Sequence, residues 1–160
     1  MIEKDEDIKV PSLAEIVEWA SRDIDDIWHI AYCGQQFSDP KFKRYLKKIW
    51  RLLFYCGWVA KVEDNVIAFL ICKLDKPKET FVIKNFGIYR EFDDFRFKHL
   101  LNEPLRRIGA NVTYKRVVAE VSKINPLIQV FFEKGFQEDP LAQQFYKDYR
   151  EDYRYLSVEA

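Results

Sequence analysis

Residues 117–136 read VVAEVSKINPLIQVFFEKGF, and this stretch carries the strongest indication of the fold. The β-branched, apolar run at its start predicts a strand over residues 116–122. Asn125 then serves as an N-cap and Pro126 as the first helical residue, which predicts a helix that runs to Lys134. The glycine and phenylalanine that follow end this helix and begin another strand. A strand, a helix and a strand in direct succession are typical of α/β proteins.

Two helices are predicted upstream of this stretch. Ser12 to Glu15 has the spacing of a capping box, and apolar residues recur after it at three- and four-residue intervals. This pattern predicts an amphipathic helix over residues 12–31. A second helix follows Pro40 and ends at Gly57. The apolar face of the second helix is formed by Phe42, Tyr45, Leu46, Ile49 and Leu53.

The remaining strands are predicted where β-branched and aromatic residues cluster between turn residues: 7–10, 58–63, 66–74, 80–89 and 153–158. Asp64 and Asn65 form the turn of a hairpin. Residues 95–108 have a helical pattern that Pro104 should kink or restart and Gly109 should end. The predicted order is therefore β-α-α-β-β-β-α-β-α-β-β, a mixed α/β sandwich whose sheet is antiparallel in its middle.

The composition describes a globular chain without a strong overall charge. The 26 Lys and Arg residues equal the 26 Asp and Glu residues, so neither a membrane nor nucleic acid is an expected partner. We expect one domain over residues 1–160, with a flexible acidic N-terminus at residues 1–7. The cysteines, Cys33, Cys56 and Cys72, have no short metal-ligand spacing, and no metal site is predicted. The sequence begins without an apolar leader pattern, which indicates a reducing cytoplasmic setting in which the thiols act as small core hydrophobes.

The quoted stretch resembles the signature of the GNAT superfamily of acyl-CoA-dependent N-acyltransferases. That signature is a strand that ends in valine, here Val121, an asparagine four residues later, here Asn125, an apolar helix and a closing Gly-Phe pair. The order of predicted elements extends the resemblance over nearly the whole chain. The resemblance implies a GNAT-like fold in which the fourth and fifth strands separate to admit the pantetheine arm of the coenzyme. It makes Asn125 a candidate cofactor-binding residue, and Asn85 or Gly87 a candidate bulge beside the separation.

The chain departs from the family at the loop that holds the pyrophosphate of the coenzyme. In the family an Arg/Gln-x-x-Gly-x-Gly/Ala segment opens the next helix, and its backbone N–H groups cradle the phosphates. Counted back from the leucine pair at 100–101, the three defining positions hold Phe92, Phe95 and Phe97. The arginine nearest to the first of them, Arg90, fits only with an insertion, and Asp93 and Asp94 bring negative charge toward a polyanion. The resemblance therefore implies a degenerate member with an eroded acyl-CoA site, and no cofactor is expected.

The proton donor of the family is missing as well. Many members place a tyrosine in the helix before the Gly-Phe pair, where its hydroxyl protonates the departing thiolate. The matching positions here are Phe131 and Phe132, and neither side chain has a proton to give. Four other side chains are general-base candidates, but structural or surface roles account better for them. They are His29, His99, Glu91 and Glu120. No catalytic residue is predicted.

One predicted helix carries a stripe of positive charge. Residues 41–51 contain six basic residues and no acidic one, whereas residues 1–30 contain nine acidic residues against three basic ones. The residues at helical spacing opposite the predicted buried face, called the basic stripe below, are Arg44, Lys47, Lys48 and Arg51. The stripe is a candidate docking site for an acidic partner or for nucleic acid, and a protein is the expected partner because the chain as a whole has no net positive charge. The sequence favours the alternative, which is a solvated face or one that faces the acidic first helix of the same chain.

Two hypotheses for the function follow. The first is a GNAT-fold pseudoenzyme that acts through an unidentified protein partner. Residues 20–27 read ASRDIDDI and bear a fainter similarity to GNAT-like internal virion proteins of tailed phages. This similarity implies a phage structural or accessory protein, with the virion as its location in place of the cytoplasm. The second hypothesis is a divergent N-acetyltransferase that transfers an acetyl group from acetyl-CoA to an amine.

Overall fold

The computed structural model describes residues 15–33, 40–89, 94–110, 113–145 and 153–159. The strands within these residues are β1 Glu15–Glu18, β2 Tyr55–Val62, β3 Asn65–Asp75, β4 Thr80–Ile88, β5 Arg116–Ser122, β6 Gln137–Glu138 and β7 Tyr153–Glu159. The α-helices are α1 Ile24–Cys33, α2 Pro40–Trp50, α3 Asp94–Ala110, α4 Ile128–Glu133 and α5 Pro140–Phe145, and a short 3-10 helix covers Ser21–Asp23.

The seven strands form one mixed sheet in the order β1-β2-β3-β4-β5-β7-β6. Among these strands β4 and β5 pair in parallel, and every other neighbouring pair is antiparallel. Parallel neighbours need a crossover connection, and α3 provides it between β4 and β5. The predicted mixed α/β architecture is therefore confirmed.

Side chains from alternate strand positions fill two large cores, one on each face of the sheet, and Val118, Ala142 and Tyr155 form a small third cluster. The core under α3 and α4 includes Leu100, Val117 and Phe131, and the core under α1 and α2 includes Ile27 and Leu46. None of these five side chains has exposed surface. Burial of one such side chain contributes about 1.5–3 kcal/mol, so the two cores fix the helices on both faces. Within the described part of the chain, no helix is long and apolar enough to cross a bilayer.

The predicted helix over residues 12–31 is wrong in its first half. Residues 15–18 form β1, in which Ile16 lies opposite Ala60 of β2. Adjacent β-branched residues favour a strand here, and pairing along the sheet edge outweighs the helical spacing. The rest of the predicted capping box, residues 12–14, lies outside the described residues.

A buried carboxylate marks the actual start of α1. Asp23 is 3% exposed and accepts a hydrogen bond from the backbone N–H of Ala20 at 2.8 Å. The ammonium of Lys61 lies 3.2 Å from the same carboxylate. A buried charge requires such partners, and together they hold the chain where α1 begins at Ile24.

The second predicted helix is confirmed as α2, but it ends earlier than predicted. Gly57 lies within β2, and Leu53 is 97% exposed rather than part of the buried face. A Cβ atom at Gly57 would lie 3.0 Å from the carbonyl oxygen of Leu70 on β3. The glycine therefore allows the two strands to approach closely, and it belongs to the sheet. The other apolar residues assigned to the buried face are buried or half-buried: Phe42, Tyr45, Leu46 and Ile49.

The hairpin of β2 and β3 is confirmed with its turn one residue earlier than predicted. Glu63 and Asp64 occupy the turn with φ angles of 52° and 69°. Positive φ at both positions gives the twist that a two-residue hairpin turn requires. Strand β5 has the predicted bounds, and β4 and β7 match theirs within one residue.

The predictions for the later helices are partly wrong. Helix α3 continues past Pro104, whose side chain is buried, and through Gly109, so the helix neither restarts at the proline nor ends at the glycine. Helix α5 was not predicted. Its first turn is held by Asp139, whose Oδ1 accepts a hydrogen bond from the N–H of Ala142 at 3.0 Å. The predicted first strand at residues 7–10 lies outside the described residues.

Candidate functional site

The candidate site is the gap where β4 and β5 separate. The two strands pair only from Thr80 opposite Arg116 to Ile83 opposite Ala119, although both continue further. The ladder between β3 and β4 shifts at the same level, which leaves Lys84 as the extra residue of a bulge. A bulge bends its strand, so β4 turns away from β5 at this point. This is the separation that the family resemblance implies.

The bulge was predicted at Asn85 or Gly87, and it lies at Lys84, one residue before Asn85. Asn85 pairs with Ile71, directly after the bulge, and Gly87 pairs in regular register with Phe69. The predicted bulge at Asn85 is thus nearly correct, and the one at Gly87 is wrong. The glycine at 87 makes room for the ring of Phe69, because a Cβ there would lie 3.0 Å from that ring and would force it to shift.

On one face of the gap, three side chains form what we call the phenyl cluster: Phe86 of β4, Phe97 of α3 and Phe131 of α4. The ring centroid of Phe86 lies 5.4 Å from that of Phe97 and 5.2 Å from that of Phe131. The centroids of Phe97 and Phe131 lie 5.8 Å apart. Phe97 and Phe131 are fully buried, and Phe86 is 5% exposed. Protein atoms therefore occupy the space between α3 and α4 beside the separated strands, in ring contacts that are themselves favourable.

The structure describes the predicted phosphate loop only in part. Phe97 belongs to the hydrophobic core, and α3 begins at Asp94. The first turn of α3 also contains a buried arginine, Arg96, which no sequence motif indicated. The only indication of Arg96 in the sequence is its position between Phe95 and Phe97, two of the defining positions of the phosphate loop. The residues of this segment that lie outside the described residues are Arg90, Glu91, Phe92 and Asp93.

On the opposite face of the gap, Glu120 is the centre of a buried polar cluster. Its side chain is 2% exposed, and the ammonium of Lys84 lies 2.9 Å from its Oε2 atom. The hydroxyl of Tyr155, which lies across from it on β7, donates to the same oxygen at 3.3 Å. The ion pair between Lys84 and Glu120 thus bridges the two strands where their backbones no longer pair.

Two buried oxygen atoms in this region have no hydrogen-bond partner within the described residues: Oε1 of Glu120 and Oδ1 of Asn85. An unpartnered buried acceptor costs free energy, and it would accept a hydrogen bond from a polar group that reached it through the gap between the strands. The sequence indicated Glu120 but missed Lys84 and Tyr155. Their contact depends on strand register and on the bulge, and neither can be read from the order of residues.

Asn125 shapes the turn before α4 instead of capping the helix directly. Its Oδ1 accepts a hydrogen bond from the N–H of Leu127 at 3.0 Å, and its carbonyl accepts one from Ile128 at 3.0 Å. The helix therefore begins at Ile128 and not at Pro126. The side-chain oxygen of Asn125 is thus engaged within the chain, and its role in cofactor binding stays a prediction.

The two histidines lie on opposite faces of the sheet. His29 is exposed on α1, and its Nδ1 lies 2.9 Å from the hydroxyl of Tyr89. His99 is half-buried on α3, which packs on the other face. The structure therefore does not bring them into one site. Nor does the described part of the chain contain a group of three or more His, Cys, Asp or Glu side chains that could hold a metal ion.

The basic stripe lies on the face of α2 opposite its buried residues, and Arg51 extends it one residue past the end of the helix. All four of its side chains are exposed, and none forms an ion pair with another described residue. Lys43, beside the stripe, pairs with Asp25 of α1. The hydrogen bond and the charge of Lys43 lower the pKa of Asp25, with a smaller contribution from Lys47. This pairing between α1 and α2 therefore uses Lys43 and leaves the stripe accessible.

Three large apolar side chains are exposed next to the basic stripe. They form what we call the apolar tip: Trp50 (41% exposed), Leu53 (97%) and Phe54 (45%). The tip covers the end of α2 and the turn before β2, and the ammonium of Lys73 lies 5.8 Å from the ring of Phe54. An exposed apolar patch beside charged residues is typical of a protein interface. The sequence missed this feature because Leu53 continues the apolar spacing of the helix.

Comparison of the sequence with models of protein families and with curated proteins gives no match. Solved structures, in contrast, match over nearly the whole chain. The PaiA N-acetyltransferase of Thermoplasma acidophilum, solved in complex with coenzyme A, has a TM-score of 0.67 and 13% identity, covering 92% of this chain and 99% of its own. An acetyltransferase of the GNAT family from Staphylococcus aureus has a TM-score of 0.75 and 11% identity, covering 91% and 98%.

A third structure gives the same result. The phosphinothricin acetyltransferase of Sinorhizobium meliloti, solved with acetyl-CoA, has a TM-score of 0.68 and 15% identity, covering 92% of this chain and 88% of its own. The chain thus has the fold of the GNAT acetyltransferases, as its sequence resemblance implies. Likeness at these identities establishes the fold alone. The similarity of residues 20–27 to phage-encoded proteins stays a prediction.

Proposed function

We propose that this GNAT-fold protein does not transfer acyl groups and acts by binding another protein. The observation that carries the proposal is the phenyl cluster. Its three rings connect β4, α3 and α4 beside the gap through which the pantetheine arm would pass. Displacing one such ring from the core costs about 1.5–3 kcal/mol. The residues present therefore do not fit a coenzyme held in the manner of the family, and we expect no acyl-CoA cofactor.

The α4 helix supports the same proposal. Phe131 is fully buried, and Phe132 is half-buried next to it. Neither ring can donate a proton to a departing thiolate. The missing proton donor in α4 and the phenylalanine at phosphate-loop position 97 in α3 are separate changes, and together they favour a fold that no longer performs the reaction.

The proposed docking surface combines the basic stripe with the apolar tip. The stripe offers four exposed cations without ion-pair partners among the described residues, and the tip offers three exposed apolar side chains at its end. Charge steers and orients a partner, while desolvation of large apolar side chains supplies most of the affinity. The surface therefore suits an acidic protein segment that carries apolar anchors. We place this interaction in the cytoplasm.

A structural or accessory role in a phage particle is one form of such an interaction. Residues 20–27, which bear the phage similarity, cover the 3-10 helix and the start of α1. The location would then be the virion. Mass spectrometry of purified particles from the source of the gene tests this form of the proposal, because a particle component co-purifies and a cytoplasmic protein does not.

An acetyl-transfer assay tests the loss of activity. The full-length protein is incubated with acetyl-CoA and a panel of primary amines and peptide N-termini, and release of the coenzyme thiol is followed. We expect no amine-dependent release above the rate without protein. Amine-dependent turnover with any member of the panel would contradict the proposal.

A divergent N-acetyltransferase is the second candidate, and one observation favours it. The strands separate as the reaction requires, and Oε1 of the buried Glu120 has no partner within the described residues, so it can accept a proton from an amine. Under this alternative, Glu120→Gln removes turnover while Glu138→Gln, at an exposed position of β6, preserves it. Under the first proposal, both variants are as inactive as the wild type.

A further inference from the structure

Cys56 and Cys72 face each other across the β2–β3 pair. They are direct partners in the antiparallel register. Opposite residues in such a pair have Cα atoms about 4.5–5.5 Å apart, which lies inside the roughly 4.4–6.8 Å range that disulfides span. Both side chains belong to the core under α3. The strand register therefore places the two residues within the Cα separation that a disulfide needs.

The two thiols differ in their access to solvent. Cys56 is half-buried near the start of β2, whereas Cys72 has no exposed surface. Burial raises the pKa of the Cys72 thiol well above its usual value, and the neighbouring Cys56 adds to this effect while the charge of Arg107 opposes it. A reagent in solution therefore meets Cys56 first, and Cys72 is placed to react second.

We propose that Cys56 and Cys72 form a redox-modification site, which closes to a reversible disulfide when the protein meets a low-molecular-weight disulfide such as oxidised glutathione. The Cys56 thiolate attacks one glutathione sulfur, the glutathione S–S bond breaks, and one glutathione leaves as a thiolate. The Cys72 sulfur then attacks the Cys56 sulfur of the mixed disulfide, and the second glutathione leaves. Two protein thiols are oxidised, one glutathione disulfide is reduced, and the two thiol protons pass to the released thiolates.

The crosslink would lie at the base of the apolar tip. The carbonyl of Phe54 already accepts a hydrogen bond from the N–H of Leu74 on β3 at 2.6 Å. A bond between Cys56 and Cys72 adds a covalent link beside this contact and closes the hairpin chain into a loop. We expect the oxidised protein to unfold at a higher temperature, since the link restricts the unfolded chain. The site does not depend on the proposed function.

Thiol trapping at defined redox ratios tests the site. The full-length protein is equilibrated in glutathione buffers of increasing oxidised fraction, alkylated under denaturing conditions, and analysed by intact-mass and non-reducing peptide mass spectrometry. The wild type should lose two alkylation sites together and yield the Cys56 peptide linked to the Cys72 peptide. Cys33 should remain alkylated, and a reducing dithiol should restore the other two thiols.

Three variants make the result specific. Cys33→Ser should form the disulfide like the wild type, and Cys56→Ser should not form it. Because Cys72 is buried, Cys72→Ala is used there, and it should accumulate only glutathione bound to Cys56. A wild type that stays alkylated at both positions in the most oxidising buffer would overturn the proposal. A bridge to Cys33, or a mixed disulfide at Cys56 that never resolves, would overturn it as well.

Discussion

Phe97 is the side chain on which the proposed loss of coenzyme binding most depends. Phe86 and Phe131 contact its ring, so they would border the cavity that a smaller residue leaves. We predict that Phe97→Ala lowers the free energy of unfolding by about 3–5 kcal/mol. Phe97→Leu should cost less because it preserves most of the buried volume. Urea unfolding of both variants measures these losses, and an alanine variant as stable as the wild type would mean that the ring is not part of the core.

Asp139 is the residue whose ionisation should affect stability most clearly. Partial burial opposes its charge, but hydrogen bonds from Ser157 and Ala142 and the charge of Arg116 lower its pKa below the ordinary value of 3.8. Because the folded-state pKa lies below that of the unfolded chain, the stabilisation is complete above about pH 4 and is lost as the pH falls through the folded-state pKa.

The lowered pKa of Asp139 in the folded state determines what Asp139→Ala should do. The variant should be less stable than the wild type by about 0.5–2 kcal/mol at neutral pH, as for other helix N-caps. The difference should shrink as the pH falls below the ordinary carboxyl range. Thermal unfolding at a series of pH values measures it, with Glu138→Ala, at an exposed neighbouring position, as the control. A difference that stays constant down to low pH would show that the carboxylate charge is not involved.

At the scale of one element, α2 has a buried face and a charged face that should be separable by mutation. Reversing the basic stripe to glutamate at all four positions should abolish binding of the acidic partner. The free energy of unfolding should change by less than about 1 kcal/mol, since substitutions at exposed positions are usually mild. Pull-down with the wild type and the variant measures binding, and urea unfolding measures stability.

Four exposed lysines outside α2 provide a control with the same change in net charge: Lys76, Lys78, Lys115 and Lys123. Reversing them should leave partner binding intact. Equal loss of binding in both variants would mean that total charge matters rather than the stripe. A loss of several kcal/mol in the stripe variant would mean that the stripe pairs within the chain.

Elements that are defined by their own residues could be predicted, and those that depend on distant partners could not. β5 has its predicted bounds because a buried run of β-branched residues favours a strand wherever it lies. β1 was mistaken for helix because only pairing with β2 makes residues 15–18 extended. Helix α5 had a local signal, Asp139 before Pro140, but its cap is completed by Ser157 far along the chain.

The candidate site shows the same division. The phenylalanines at the phosphate loop and in α4 could be read from the order of residues, and their meaning followed from the family resemblance. The contact of Phe97 with Phe86 and Phe131 required the fold. So did the pair between Lys84 and Glu120, because a bulge in β4 creates it. Motif positions can thus be predicted from sequence, whereas the side chains that fill the gap between β4 and β5 are determined by the register of the strands.

At the scale of the whole molecule, the two faces of the sheet carry different side chains beside the gap between β4 and β5. The side under α3 and α4 holds the buried phenyl cluster, and the other side holds the polar cluster around Glu120. In the proposed account, the sheet keeps the strand order of the acetyltransferases, and the face under α3 and α4, which would receive the coenzyme, is filled by hydrophobic core side chains. The surface of α2, on the same face as the polar cluster, then provides the contact with a partner.

Calorimetric titration of acetyl-CoA into the full-length protein tests this central claim most directly, because it measures binding without requiring an acceptor amine. An acetyltransferase of the same fold, such as the PaiA enzyme solved with coenzyme A, serves as the positive control. We predict that the control shows saturable heat and that this protein shows none at micromolar concentrations. Saturable heat with a stoichiometry of one coenzyme per chain would contradict the account and favour the divergent acetyltransferase.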